Sequence, residues 1–86
     1  MTADAVEYQE LVDWLTVKVA GYLHVPPDAI GIDVPLADCG IDSISGIALC
    51  ADLQYEKGFA VDTTIVWDYA TIDAIAAYLV AERPTP

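Results

Sequence analysis

Positive charge, cysteine and histidine are all scarce in this chain of 86 residues. Three Lys and Arg stand against 14 Asp and Glu, a formal net charge of −11. Nucleic-acid binding is not expected, because phosphate contacts need Lys and Arg. Two Cys and one His are too few for a metal site. No apolar run approaches the roughly 20 residues that span a bilayer. What remains is an acidic surface, which suits docking to basic patches on partner proteins.

The length and the apolar content predict one small domain over residues 1–86, with a core of about 4–82. No basic segment followed by an apolar one marks a signal peptide, so the expected compartment is the cytoplasm. Cys39 and Cys50 are interpreted as small apolar residues rather than as a disulfide. Met1 favours a free start, whereas residues 83–86 read as a tail or linker.

Hydrophobic periodicity predicts an all-α fold, a small four-helix bundle with three longer helices and one short one. The first helix is predicted over 4–23 and the second over 43–57, where Gly58 is a natural C-terminal cap. Thr63 or Thr64 is expected to cap a short helix over 65–69, and Thr71 the last helix over 72–82.

A long first loop over 24–41 separates the first two helices. Long loops without regular structure are uncommon unless they are functional or packed down. Alternating apolar residues within it resemble a strand, but the chain offers no partner strand. We therefore expect them to pin the loop to the bundle: Ile30, Ile32, Val34 and Leu36.

This loop leads into the run Gly40-Ile41-Asp42-Ser43-Ile44, which opens an apolar helix. Either Asp42 or Ser43 supplies the N-cap oxygen. A serine-hydrolase elbow is rejected, because Ser43 stands where that pattern needs glycine two residues before the nucleophile and no sheet is predicted. With a single histidine and a short chain, serine hydrolysis is not expected.

The segment Leu36 to Ile44 resembles the attachment motif of the acyl carrier proteins, whose core reads Gly-x-Asp-Ser-Leu. Ile65-Val66-Trp67-Asp68-Tyr69-Ala70-Thr71 resembles a late segment found in the carrier domains of modular polyketide synthases. The match runs nearly end to end. Peptidyl carriers usually show His before the serine, and Asp42 stands there in this chain, which favours acyl over aminoacyl cargo.

The resemblance implies a non-catalytic carrier for polyketide or related fatty acid biosynthesis. A phosphopantetheinyl transferase would attach 4′-phosphopantetheine from coenzyme A to Ser43, with Asp42 and Gly40 as supporting motif residues. The expected partners also include a ketosynthase, an acyltransferase and other synthase domains, and the isolated domain is expected to be monomeric. A peptidyl carrier and a non-carrier helical interaction module are the alternatives.

The second helix has two apolar faces, and the resemblance implies that Leu49 and Leu53 face the core. The other face is then a docking surface: Ile44, Ile47, Ala48, Ala51, Asp52, Tyr55 and Glu56. The opposite assignment, with Leu49 and Leu53 peripheral, stays open at this stage. Candidates for sheltering an acyl chain in the interior are Leu53, Ile65, Ile72 and Ile75.

Overall fold

α-Helices and the turns between them make up the fold of residues 3 to 82, the part of the chain that the computed structural model describes. The helices are α1 (Ala3–Leu23), α2 (Leu36–Cys39), α3 (Ser43–Asp52), α4 (Ile65–Asp68) and α5 (Ile72–Glu82). Within that range no residue lies in a strand, so the all-α prediction is confirmed. The predicted tail over 83–86 lies outside the described residues.

The long loop contains more helix than the sequence predicted. A 3-10 turn spans Pro27–Ala29, and the one-turn helix α2 lies just before the Asp42-Ser43 pair. The predicted helix over 43–57 is also divided, because α3 continues as a π-helical turn over Leu53–Lys57. It nevertheless ends as predicted, with Gly58 in the left-handed conformation at φ 77°.

The core lies where α1 packs mainly against α5 and more lightly against α3. Helical spacing in the sequence predicts an apolar stripe on α1 at Tyr8, Val12, Leu15, Val19 and Leu23. Val12, Leu15 and Val19 are buried, whereas Tyr8 and Leu23 are only partly buried against the core. Burying an apolar side chain of this size stabilises a fold by about 1.5–3 kcal/mol relative to leaving it exposed. The other helices complete the cluster with Leu36, Ile41, Leu49, Cys50, Leu53, Ile65, Val66, Ile72, Ile75, Ala76 and Leu79.

Thr71 caps the last helix as predicted, because its Oγ1 accepts a hydrogen bond from the Ala74 N–H at 3.1 Å. Thr64 occupies the N-cap position of α4 but makes no such bond. Its hydroxyl instead bonds Asp68 Oδ2 at 3.2 Å. The short helix therefore depends on the burial of Ile65 and Val66 more than on capping.

The long loop is tied to the junction of α4 and α5 by its backbone. The Leu36 N–H donates to the Ala70 carbonyl at 2.7 Å, and the Asp73 N–H donates to the Ile32 carbonyl at 2.9 Å. The Leu36 side chain is fully buried, and Ile30 packs partly against the core. The loop is thus fixed on both sides of the turn that precedes α2.

Two of the four predicted loop contacts are wrong. Ile32 and Val34 are 38% and 37% exposed and, unlike Ile30, are not among the side chains packed against the core. The reason is local, since the Val34 N–H bonds the Gly31 carbonyl at 3.3 Å and closes a turn. A turn does not alternate its side chains as a strand does, so the alternation in the sequence did not predict which residues face inward.

Gly46 is explained by a close approach of α4 to α3. A Cβ at this position would lie 2.9 Å from Val66 Cγ2, and Val66 is itself buried. Alanine is favoured over glycine inside a helix by about 1 kcal/mol, but overpacking a core costs about 1–3 kcal/mol. We therefore expect Gly46→Ala to lower the free energy of unfolding in urea by about 1 kcal/mol, the difference between these two effects.

Gly21 provides the matched control, because it lies in α1 with nothing within 4 Å of its added Cβ. Gly21→Ala is expected to raise the same free energy by about 0.5–1 kcal/mol. Adding Val66→Ala to Gly46→Ala should relieve the steric overlap between the new Cβ and the valine side chain. A double-mutant cycle measures this relief as coupling between the two sites. An increase in stability for Gly46→Ala that matches Gly21→Ala would contradict the packing explanation.

Candidate functional site

Ser43 is the first residue of α3, and its side chain is exposed. The residue before it caps the helix: Asp42 Oδ1 accepts a hydrogen bond from the Ser45 N–H at 2.8 Å. The Asp42 carbonyl also accepts the first helical bond, from the Gly46 N–H at 2.9 Å. Of the two cap candidates in the sequence, the structure therefore selects Asp42. The Ser43 hydroxyl is not needed as a cap.

Gly40 shapes the turn into this site. Its φ of 108° lies in the left-handed region, which side chains with a Cβ disfavour. The residue ends α2, and the next residue, Ile41, is buried and donates its N–H to the Leu36 carbonyl at 3.0 Å. The chain is thus anchored in the core two residues before Ser43. The motif in the sequence indicates Gly40, whereas nothing in it indicates that Ile41 is the buried anchor.

The cap also has an electrostatic signature. Hydrogen bonds from Ser45, first from its backbone N–H and then from its side chain, lower the pKa of the Asp42 carboxyl below the ordinary value. A pKa that is lower in the folded state means that the ionised carboxylate stabilises the fold. This contribution is complete above the unfolded-state pKa, and it is lost as the pH falls through the lower folded-state value.

We expect the amide signal of Ser45 to report this titration in NMR spectra. Its midpoint should fall below the ordinary aspartate pKa of about 3.9. In Asp42→Asn the acid-dependent shift of this amide should disappear, while other carboxylates titrate as before. A midpoint at or above the ordinary value would show that Asp42 does not cap α3 in solution.

The face of α3 and of the π-helical turn after it that points away from the core is apolar and exposed. Ile44 is 78% exposed, Ile47 54% and Tyr55 89%. Ala51 is also exposed, and Ala48 is half-buried. On the opposite face, Leu49 and Leu53 are fully or almost fully buried. The structure thus decides between the two open assignments and leaves the predicted docking surface at the protein surface, beginning beside Ser43.

The two acids at the far end of this surface already have partners on α1. The Lys18 ammonium donates to Glu56 Oε2 and lies 3.7 Å from Asp52 Oδ2. The Tyr22 hydroxyl donates to the same Asp52 oxygen. Desolvation first, and then this bond to Asp52, raise the pKa of Tyr22 well above its ordinary value. No sequence pattern indicated these partners, because they lie 30 or more positions away along the chain.

The four candidates for sheltering an acyl chain are all buried: Leu53, Ile65, Ile72 and Ile75. Ile65 lines a cavity of about 50 Å³ between α4 and α5, together with Tyr69 and Tyr78. Leu53, Ile72 and Ile75 have no exposed surface and belong to the packed core.

These features define a small helical domain with one exposed serine at the start of its third helix. The phosphopantetheine attachment site family matches residues 13–79. The chain belongs to this family. Within the described residues, no group of three His, Cys, Asp or Glu is arranged to hold a metal ion, and no helix is long and apolar enough to cross a membrane.

Curated relatives place the chain among the carrier domains of polyketide synthases. It is 42% identical over 84 residues to 5-methyl-1-naphthoate synthase of Streptomyces sahachiroi, covering 94% of this chain and 5% of that protein. It is 35% identical over 72 residues to the erythronolide synthase EryA3 of Saccharopolyspora erythraea, covering 83% of this chain and 2% of that protein. The chain thus spans only 2% to 5% of the length of these relatives.

Solved structures show the same fold. A free-standing peptidyl carrier protein of Acinetobacter baumannii matches with a TM-score of 0.87 and 31% identity, covering 91% of this chain and 98% of that one. The acyl carrier protein LipD of Actinoplanes friuliensis matches with a TM-score of 0.72 and 35% identity, covering 95% and 91% of the two chains. Both similarities extend over nearly the whole domain.

Proposed function

We propose that this protein carries acyl intermediates as thioesters on a 4′-phosphopantetheine arm attached to Ser43, in the assembly of a polyketide. One observation carries the assignment of the residue. Ser43 presents an exposed hydroxyl at the start of α3, while Asp42 performs the capping that would otherwise explain a serine there. The sequence match to polyketide synthases supports the class of cargo.

The residues around Ser43 fit an attached 4′-phosphopantetheine group. An exposed hydroxyl lets a transferase reach the oxygen, which would lose its proton to the transferase and form the bond to phosphorus as the nucleotide half of coenzyme A leaves. The first turn of α3 would hold the phosphodiester, because its N–H groups and the helix dipole favour negative charge. Asp42 is exposed and is available to a metal ion or basic group on the transferase. The arm supplies a thiol that holds the acyl chain.

The exposed face of α3 supports a docking role next to the arm. Ile44, Ile47 and Tyr55 expose apolar area that a partner enzyme can cover. The proposed partners are a phosphopantetheinyl transferase, a ketosynthase, an acyltransferase and the other domains of the synthase. We propose that the protein works in the cytoplasm. We also propose that residues 1–86 form a single carrier domain, since the family match covers most of the chain.

A peptidyl carrier is the second candidate. It is favoured by the structural similarity to the Acinetobacter baumannii peptidyl carrier protein. The sequence favours the acyl carrier, since Asp42 stands at the position before the serine. Loading the attached arm with acyl or aminoacyl groups by the corresponding enzymes would separate the two, because each enzyme class discriminates between carriers at the docking surface.

The test of the carrier function is direct. The apo protein is incubated with a promiscuous phosphopantetheinyl transferase, coenzyme A and Mg²⁺, and the intact mass is recorded. The expected result is a gain of one phosphopantetheine per chain. An unchanged mass, with a known carrier modified in the same tube, would reject the carrier function and favour a helical interaction module.

A further inference from the structure

Two of the three basic residues in this chain lie at one place. The three are Lys18, Lys57 and Arg83, and both lysines lie over the ring of Trp14, at 5.4 and 6.0 Å from its centre. Ammonium groups at such distances are attracted to the face of an aromatic ring. Two positive charges thus lie over Trp14, beside the π-helical turn that follows α3.

Lys18 and Lys57 differ in what else they contact. Lys18 bridges from α1 to Asp52 and Glu56, the two acids at the edge of the docking surface. The bond to Glu56 is the main reason that the pKa of Lys18 lies above its ordinary value, although desolvation opposes it. Lys57 takes part in neither of these salt bridges.

The two ends of the docking surface therefore differ in charge. Near Tyr55, two lysines balance two carboxylates, although the whole chain has a formal net charge of −11. Near Ser43, Asp42 is exposed and ionised. At the Asp42 end, a partner's basic side chain meets a carboxylate that is bonded to the Ser45 N–H but has neither lysine beside it, since Lys18 and Lys57 both lie over Trp14 at the other end. At the Tyr55 end it must compete with Lys18.

We propose that Lys18 biases partner choice by occupying the carboxylates of Asp52 and Glu56. The α3 face then accepts partners that bring apolar side chains to Ile47 and Tyr55, and it disfavours partners that depend on Arg or Lys at that end. This inference rests on the proposed docking role of α3. Lys18 itself is a positioning residue, since it acts through the two acids.

The first experiment does not depend on carrier function. An octa-arginine peptide is titrated into the ¹⁵N-labelled 86-residue chain and followed by NMR. In Lys18→Gln we expect the amides around Asp52 and Glu56 to shift, with apparent binding about two- to fivefold tighter than in the wild type, as exposed ion pairs suggest. Lys57→Gln removes the same charge beside the same ring. In Lys57→Gln the shifts that the peptide causes in these amides, and the apparent affinity, should stay close to those of the wild type.

The second experiment measures partner choice. Modification rates with a transferase whose carrier-binding face is basic are compared at increasing NaCl concentrations. Lys18→Gln should be modified faster than Lys57→Gln at low salt, and the difference should vanish at high salt because exposed charges are screened. Equal rates and equal peptide shifts for the two variants would overturn the proposal.

The two experiments keep separate failures apart. If no variant, including the wild type, gains phosphopantetheine, the proposed carrier function fails. The peptide titration then still decides whether Lys18 excludes cations from Asp52 and Glu56. If all variants are modified at one common rate, carrier function holds and the role of Lys18 in partner choice is rejected.

Discussion

Ser43→Ala is expected to abolish the gain of phosphopantetheine completely, whereas the wild type should be modified to one group per chain. The reason is that alanine removes the only atom of the side chain that can form the bond to phosphorus. No smaller effect is expected, because Ser43 is an attachment point rather than one of several contributors to a rate. Intact-mass spectrometry after incubation with transferase and coenzyme A measures the result.

The fold should survive this substitution. The N-cap of α3 is the Asp42 carboxylate, at 2.8 Å from the Ser45 N–H, and the Ser43 side chain is exposed. Exposed substitutions away from such features change stability by only about 0.5 kcal/mol. The far-ultraviolet circular dichroism and the urea midpoint of Ser43→Ala should therefore match those of the wild type, so loss of modification cannot be attributed to unfolding.

Ser45→Ala is the matched control. It removes a hydroxyl from the same turn of the same helix, but it keeps the backbone N–H that binds Asp42. Ser45 is half-buried, so its hydroxyl is less open to a transferase. This variant should still gain one phosphopantetheine. Modification of Ser43→Ala, or its loss in Ser45→Ala with the fold intact, would place the attachment elsewhere.

The sequence was sufficient for features that depend on local periodicity and capping. The 3.6-residue spacing in α1 predicted the buried positions Val12, Leu15 and Val19. Gly58 and Thr71 mark helix ends because their conformation or side chain suits those positions. The attachment motif was equally local, since Gly40, Asp42 and Ser43 lie within four residues of one another.

Features that depend on contacts between distant residues were missed. Nothing in the neighbouring sequence explains a glycine at position 46 inside a helix, and only the contact with Val66 does so. The loop is fixed by backbone bonds from Leu36 to Ala70 and from Asp73 to Ile32, and backbone groups leave no residue-specific signal in a sequence. Two of the predicted docking acids, Asp52 and Glu56, are paired with Lys18. The sequence did not indicate this pairing, because Lys18 lies far from both acids along the chain.

Leu53→Ala is expected to lower the free energy of unfolding by about 2–5 kcal/mol, the usual cost of truncating a buried leucine. Leu53 has no exposed surface and lies among the core side chains of α3 and α5. Domains of this kind are stable by only about 5–15 kcal/mol, so much of the molecule's stability depends on this one position. Urea unfolding followed by Trp fluorescence measures the change.

Tyr55→Ala tests the opposite face, two residues further along the same helical segment. Tyr55 is 89% exposed, so the loss of stability should stay within about 0.5 kcal/mol. Its effect should instead appear as a higher KM for a transferase or ketosynthase, with kcat less affected, because a docking contact contributes to binding. If Tyr55→Ala destabilised the fold as much as Leu53→Ala, the buried and docking faces would have to be exchanged. An unchanged KM would remove Tyr55 from the docking surface, because the partners would then bind without covering its ring.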